Sequence, residues 1–186
     1  MSYMSNHELS QFGFKSLGEN VLVSTHARIY EPHLISIGDN SRIDDFCILN
    51  GTITIGRNVH VAVQSNLAAG RSSISIGDYT GISYGVQIIT QIDDYSGLTL
   101  SNPTVSGEYK KTISRPISIG RHVKIGTYAI ILPGSVIGDI CSISSRSNVS
   151  GNLEPRGLYK GDPAVRISEL SDRLLELEQQ YENRNK

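Results

Sequence analysis

Aliphatic residues recur every six positions through most of this chain, and that phase restricts the folds open to it more than any other feature. One run holds Leu17, Val23, Ile29 and Ile35, and a second holds Ile37, Ile43, Leu49, Ile55, Val61 and Leu67. After a slip the phase returns at Ile76, Ile82 and Ile88, then at Ile119, Ile125, Ile131, Ile137, Ile143 and Val149. Glycine directly follows many of these aliphatics, at Gly18, Gly38, Gly56, Gly77, Gly120, Gly126 and Gly138, which predicts a recurring tight corner. The fourth residue after each aliphatic is small or compact, as at Ser41, Cys47, Ser65, Thr80, Val123, Ser135 and Cys141, so it is expected to fill a crowded corner. A six-residue unit accommodates one short strand and one turn. Three units close a triangular coil whose aliphatics stack inward, and each coil hydrogen-bonds to the next, so stability comes from stacked neighbours. Gly38-Asp39-Asn40 and Gly56-Arg57-Asn58 suit corners that need unusual backbone dihedrals. A sandwich of alternating strands has period two, which gives no reason for the glycine and the small residue to return at every sixth position.

The fold expected is therefore all-β, a parallel β-helix of hexapeptide repeats. Its domain occupies residues 17–167, after a lead-in over 1–16. From Ile88 to Ile119 the phase is suspended for 31 positions rich in polar and turn residues, which predicts a loop extruded over about 91–116. Over 168–186 the pattern changes to helical spacing, with Leu170, Leu174, Leu177 and Tyr181 between charges, so a short amphipathic C-terminal α-helix is expected, with Ser168, Ser171 or Asp172 as its cap.

Seventeen basic and eighteen acidic residues leave a formal charge of −1, which provides no basic field for nucleic acid. No segment has the length and apolarity of a membrane span, and the first residues lack a signal-peptide pattern, so a cytoplasmic protein without membrane insertion is expected. Cys47 and Cys141 both fall on the small corner position, which predicts packed, reduced thiols rather than a nucleophile or a metal ligand.

The hexads, the loop phrase DDYSG…NPTV, the run IGTYAIILPGSVIGD (125–139) and the ending LYKGDPAVRI together resemble the hexapeptide-repeat acyltransferases, in particular their sugar O-acetyltransferase branch. The resemblance covers roughly 17–167. It implies a left-handed coil, a hand that periodicity alone does not set, and a homotrimer with active sites in clefts between subunits. It also implies transfer of an acetyl group from acetyl-CoA to a sugar, as a nucleotide sugar or a surface-polysaccharide unit, on oxygen or nitrogen, with no metal. By position, Thr127, Ser144, Ser145 and Gly161 match the segments that line the pantetheine channel. Lys160 and Arg166 are the nearest cations for the CoA phosphates.

Members of that branch usually carry a loop histidine as the base, three residues after a threonine. Here the same register reads Thr90-Gln91-Ile92-Asp93-Asp94-Tyr95, so the histidine is replaced by Asp93. An aspartate near ~3.9 is a weak base for an alcohol unless burial or a neighbour such as Asp94 raises its pKa. Asp93 and Asp94 are thus the loop candidates, and His60 could supply an imidazole from the coil. Gln64 matches an amide that supports the oxyanion. A carbonic-anhydrase-like metal site would need three converging histidines, and His7, His26, His33, His60 and His122 lack that spacing. The alternative function is a catalytically inactive trimeric scaffold, which the missing histidine makes conceivable.

Overall fold

The computed structural model describes residues 2–184. The chain coils as a parallel β-helix of about seven turns, left-handed as in its structural neighbours, with one helix near each end. Three columns of short strands form its walls. In the first column, parallel pairing stacks Leu17, Ile37, Ile55, Ile76, Ile119, Ile137 and Leu153 rung over rung. The second stacks Val23, Ile43, Val61, Ile82, Ile125, Ile143 and Tyr159. The third stacks Ile29, Leu49, Leu67, Ile88, Ile131 and Val149. Nearly all of these side chains are buried, and together they form the core. The first column buries a second aliphatic per coil at Ile35, Ile53, Ile74 and Ile117, so the partner of Leu17 is Ile37 rather than Ile35.

We call the corners after the first, second and third columns A, B and C. At corner A the glycines answer to crowding: a Cβ on Gly38 would lie 2.6 Å from the carbonyl carbon of Gly56, and one on Gly77 equally close to Gly120. The unusual dihedral falls two residues later, with φ of 57° at Asn40, 55° at Asn58, 58° at Tyr79 and 56° at His122. Of the Gly-x-Asn phrases expected at these corners, the asparagine therefore takes the unusual dihedral while the glycine admits the next coil, and tyrosine or histidine makes the same turn at Tyr79 and His122. The small corner positions expected from the repeat are buried without exception, including Cys47 and Cys141, both free thiols.

The extruded segment leaves corner C as an antiparallel ribbon, Gln91–Asp93 against Thr112–Ser114. A strand Val165–Glu169 folds back antiparallel on Gly157–Lys160, beyond which helix α2 runs from Arg173 to Arg184. The last two residues of the predicted helical segment lie outside the described residues. The Ser171 hydroxyl accepts from the Arg173 N–H, while Ser168 belongs to the preceding strand. Helix α2 rests against corner A, where Glu178 meets Arg57, Arg121 and His122 and Glu182 meets Arg57 and Tyr79. At the other end a helix unforeseen from the hydrophobic pattern, α1 (Asn6–Gln11), is started by a reciprocal Ser5–Glu8 capping box and buries Leu9 over the first coil. No described helix is long and apolar enough to cross a membrane.

Candidate active site

Corners A and B treat their outward backbone N–H groups differently. At corner A, aspartates of the neighbouring coil accept every second one, Asp39 taking the Glu19 N–H at 2.8 Å, Asp78 that of Arg57 at 3.0 Å and Asp139 that of Arg121 at 2.9 Å, so no unbroken row of donors is left there. At corner B the first coil's Thr25 N–H is covered by the Ser2 carbonyl. The N–H groups of Asp45, Val63, Tyr84, Thr127 and Ser145, one per coil above it, have no acceptor among the described residues. Such a row of unused donors suits a ligand that runs along the coil axis and presents carbonyls to it. Gly126 keeps the row close, since a Cβ there would stand 2.4 Å from the Ser145 nitrogen. Thr127 and Ser145 thus sit where a cofactor can use their amides, whereas the Ser144 N–H already donates to the Tyr159 carbonyl at 2.9 Å. Gln64 occupies the same corner with φ of 64°; its own N–H donates to the Asp45 carbonyl at 3.1 Å and its side chain is exposed.

The last coil holds the remaining cofactor candidates. Gly161, with φ of 107°, is tied into the coil: its N–H donates to Ser147 Oγ at 3.1 Å and its carbonyl accepts from Asn148 at 2.9 Å. Lys160 ends the second strand column and is exposed. Arg166 turns elsewhere, donating at 3.1 Å to the Arg156 carbonyl at corner A. Lys160 and Arg166 therefore do not converge within one chain, because the hairpin register pairs Lys160 with Val165 and sets Arg166 opposite Tyr159.

Asp93 ends the first strand of the extruded ribbon and is half-buried. Its Oδ2 accepts the Asn102 N–H at 2.8 Å, and Oδ1 has no partner among the described residues. Asp94 points into a turn, accepting the Ser96 hydroxyl at 2.7 Å and the Ser96 N–H at 3.1 Å. Those bonds, the hydroxyl's foremost, hold its pKa below the ordinary carboxylate range, so Asp94 is committed to the turn. His60 lies in the second strand column, not beside the loop of its own chain. Its Nε2 stands 2.7 Å from Oδ2 of the almost fully buried Asp44 and 2.8 Å from Nη2 of Arg42. That nitrogen is committed to an ion network and is poorly placed to take a substrate proton. Among the described residues no three histidines, cysteines or acids are grouped as metal ligands.

No family profile matches the chain. Its sequence is 41% identical over 181 residues to a dTDP-4-amino-4,6-dideoxy-D-glucose acyltransferase of Escherichia coli, spanning 96% of this chain and 94% of that protein. The chain belongs to the hexapeptide-repeat acyltransferases. Its fold superimposes with a TM-score of 0.97 on AntD, an N-acyltransferase from Bacillus cereus solved with dTDP and 3-hydroxybutyryl-CoA, at 39% identity over all of this chain and 99% of that one. A serine-to-alanine variant of AntD, holding dTDP-4-amino-4,6-dideoxyglucose and coenzyme A, matches with a TM-score of 0.96 at 38% identity over 98% of each chain. This acyltransferase also carries features that the motifs did not single out. Arg71 stands on a backbone bulge beside the ribbon, and Lys110 lines the same cleft. The sequence signal was the slip itself, nine positions between Leu67 and Ile76 in place of six.

Proposed function

We propose that this acyltransferase moves an acyl group from acyl-CoA to the amino group of a nucleotide-linked amino sugar, with Asp93 as proton acceptor. The row of unused amides at corner B carries this reading, because it offers pantetheine a track one strand away from the ribbon that holds Asp93. The AntD complexes with CoA and dTDP ligands favour the nucleotide sugar, and nitrogen over oxygen. An aspartate suits that acceptor. A sugar ammonium gives its proton to the Asp93 carboxylate, and the freed nitrogen attacks the thioester carbon. Asp93 passes that first proton to solvent and takes the second from the nitrogen of the tetrahedral intermediate, which collapses to the amide and expels the CoA thiolate, and the thiolate receives the second proton from Asp93. Thr127 and Ser145 present their amides to pantetheine, Ser144 and Gly161 shape the channel, Gln64 faces the oxyanion, and Lys160 meets the CoA phosphates, without Arg166, which is turned to corner A.

The catalytic unit is the coil over 17–167, flanked by the N-terminal lead-in and the C-terminal helical segment, and it acts as a cytoplasmic homotrimer. Two features support a trimer. Asp93 and the amide row occupy different corners of one chain, so a neighbouring copy's loop is what would join base to donor. Exposed apolar side chains also collect on that loop, at Tyr95, Leu98 and Tyr109, and around corner B, at Phe46, Tyr84 and Tyr128.

The test is thiol release from acetyl-CoA and 3-hydroxybutyryl-CoA with dTDP-4-amino-4,6-dideoxyglucose set against neutral sugars, alongside light scattering. Turnover confined to the amino sugar and a mass of three chains are expected. Turnover with neutral sugars alone, or an active monomer, would overturn the reading.

A further inference from the structure

A cation with no role so far lies at the foot of the ribbon. A cleft of about 610 Å³ opens there, lined by Arg71, Gln91, Lys110, Thr112 and Ser114 along with Pro103, and neither an aspartate nor a glutamate is among its lining residues. The cleft at corner A has more arginines, but Arg121, Arg156 and Arg166 share it with Asp139, Glu154 and Glu169, and Arg121 and Arg156 are ion-paired. Arg71 has no hydrogen-bonding or ionic partner among the described residues and is exposed. Arg71 therefore has no described counter-ion, and a guanidinium with five donors and no partner suits a dianionic ligand.

Arg71 is also held in place. The strand Asn66–Ile76 pairs with Ile48–Ile55 through a register shift, Gly51 opposite Gly70 and Thr52 opposite Ser73, which expels Arg71 and Ser72 from the ladder. Gly51 and Gly70 have φ of 82° and 50°, and a Cβ on Gly51 would lie 2.7 Å from the Gly70 carbonyl oxygen, so the bulge depends on glycine. Thr90, fully buried at the root of the ribbon, donates to the Ala69 carbonyl at 2.6 Å and ties the bulge to the ribbon. Lys110 is connected to Asp93: its Nζ donates to the Asn102 carbonyl at 2.8 Å, and the N–H of the same Asn102 donates to Asp93. Lys110 and the candidate base therefore share one folded loop, with Arg71 on the bulge at its root.

We infer that Arg71, assisted by Lys110, binds the diphosphate of the nucleotide-linked acceptor and so makes this enzyme prefer a nucleotide sugar to the free amino sugar. The inference rests on the proposed acceptor. In a 4-amino sugar the amine and the diphosphate occupy opposite ends of one pyranose ring, so anchoring the phosphates at the cleft leaves the amine to be presented towards Asp93.

The experiment is calorimetric titration of the full-length protein and Arg71→Ala with dTDP, TMP and thymidine, plus kinetics with the dTDP amino sugar. Arg71→Ala should weaken dTDP about tenfold to a hundredfold, the worth of lost charge-assisted bonds, and TMP less, with thymidine and CoA unaffected. KM for the nucleotide sugar should rise by the same factor while kcat stays within about threefold, and Arg71→Lys should recover part of the loss. A lower salt dependence of dTDP binding in the variant is expected too. If the parent binds dTDP and Arg71→Ala binds it equally well, the assignment of Arg71 is wrong while the proposed acceptor stands. If the parent itself fails to bind dTDP, the acceptor reading falls and the inference with it.

Discussion

Asp93→Asn separates the catalytic from the structural use of the loop carboxylate. Asparagine keeps a side-chain oxygen that can accept the Asn102 N–H now held at 2.8 Å, so the loop retains its fold and loses only the charge on that bond. Exchanging a charged for a neutral acceptor at this half-buried position costs about 1 kcal/mol. In a chain of 186 residues that lowers Tm by about 2–4 °C. A positioned proton acceptor contributes about 10²–10⁴ in rate, or about 3–5 kcal/mol of barrier, several times the structural cost. The assay is CoA-thiol release at saturating acyl-CoA and amino sugar, with CoA affinity and the melting curve measured on the same preparation. A hundredfold or greater fall in kcat with CoA affinity kept and Tm within a few degrees is expected. Turnover within threefold of the parent would refute the role of Asp93, and an inactive His60→Ala beside it would move the proton acceptor to the coil. Asp93→His should support transfer to an alcohol, since imidazole is the better base near neutral pH.

Three further outcomes follow from the coil itself. Gly38→Ala places a methyl within 2.6 Å of the next coil's backbone and should cost about 1–3 kcal/mol, seen as a Tm lowered by about 3–10 °C; an unchanged melt would contradict the close stacking at corner A. Burial pushes the Cys47 thiol up to about 11 from an ordinary 9, so its stabilising contribution is complete below pH 9 and is lost as pH rises through 11. Cys47 should accordingly resist thiol reagents at pH 8 until the protein is unfolded, and rapid labelling of the native form would be the contrary result. Removing the Glu178 carboxylate, which is 11% exposed among Arg57, Arg121 and His122, should loosen α2 by roughly 1–2 kcal/mol, and limited proteolysis within 173–184 should quicken about tenfold; equal cleavage rates would show that the ion cluster does not hold the helix.

The coil was legible because its information is local: the residues that stack, Ile37 on Ile55 on Ile76, each repeat the same six-residue phrase. The boundaries of the ribbon were legible for the same reason, as places where the phrase stops. The hand needed a relative, since left and right coils bury the same positions. The opening helix was missed although Ser5 and Glu8 spell a capping box, because six residues are too few for a hydrophobic period to register. The divergence of Lys160 and Arg166 follows from the register of an antiparallel hairpin, which no spacing reveals. The replacement of the loop histidine was visible directly. That Asp94 is spent on a turn, and that His60 is bound to Asp44, were contacts of the folded chain alone.

A stack of parallel rungs has no natural length, and each open end offers a ready-made strand to whatever chain meets it. Here both ends are closed by elements that break the pattern. Helix α1 lays Leu9 over the first rung, and at the far end the chain reverses, so the outermost strand, Val165–Glu169, runs against the direction of the coil and carries Arg166 and Glu169. A second molecule approaching end-on meets a helix or a charged strand of opposite sense rather than another rung. The protein is thereby kept from growing into a fibre by its own repeat, and its exposed apolar surface is left on the sides, at the loop and corner B, where association can close.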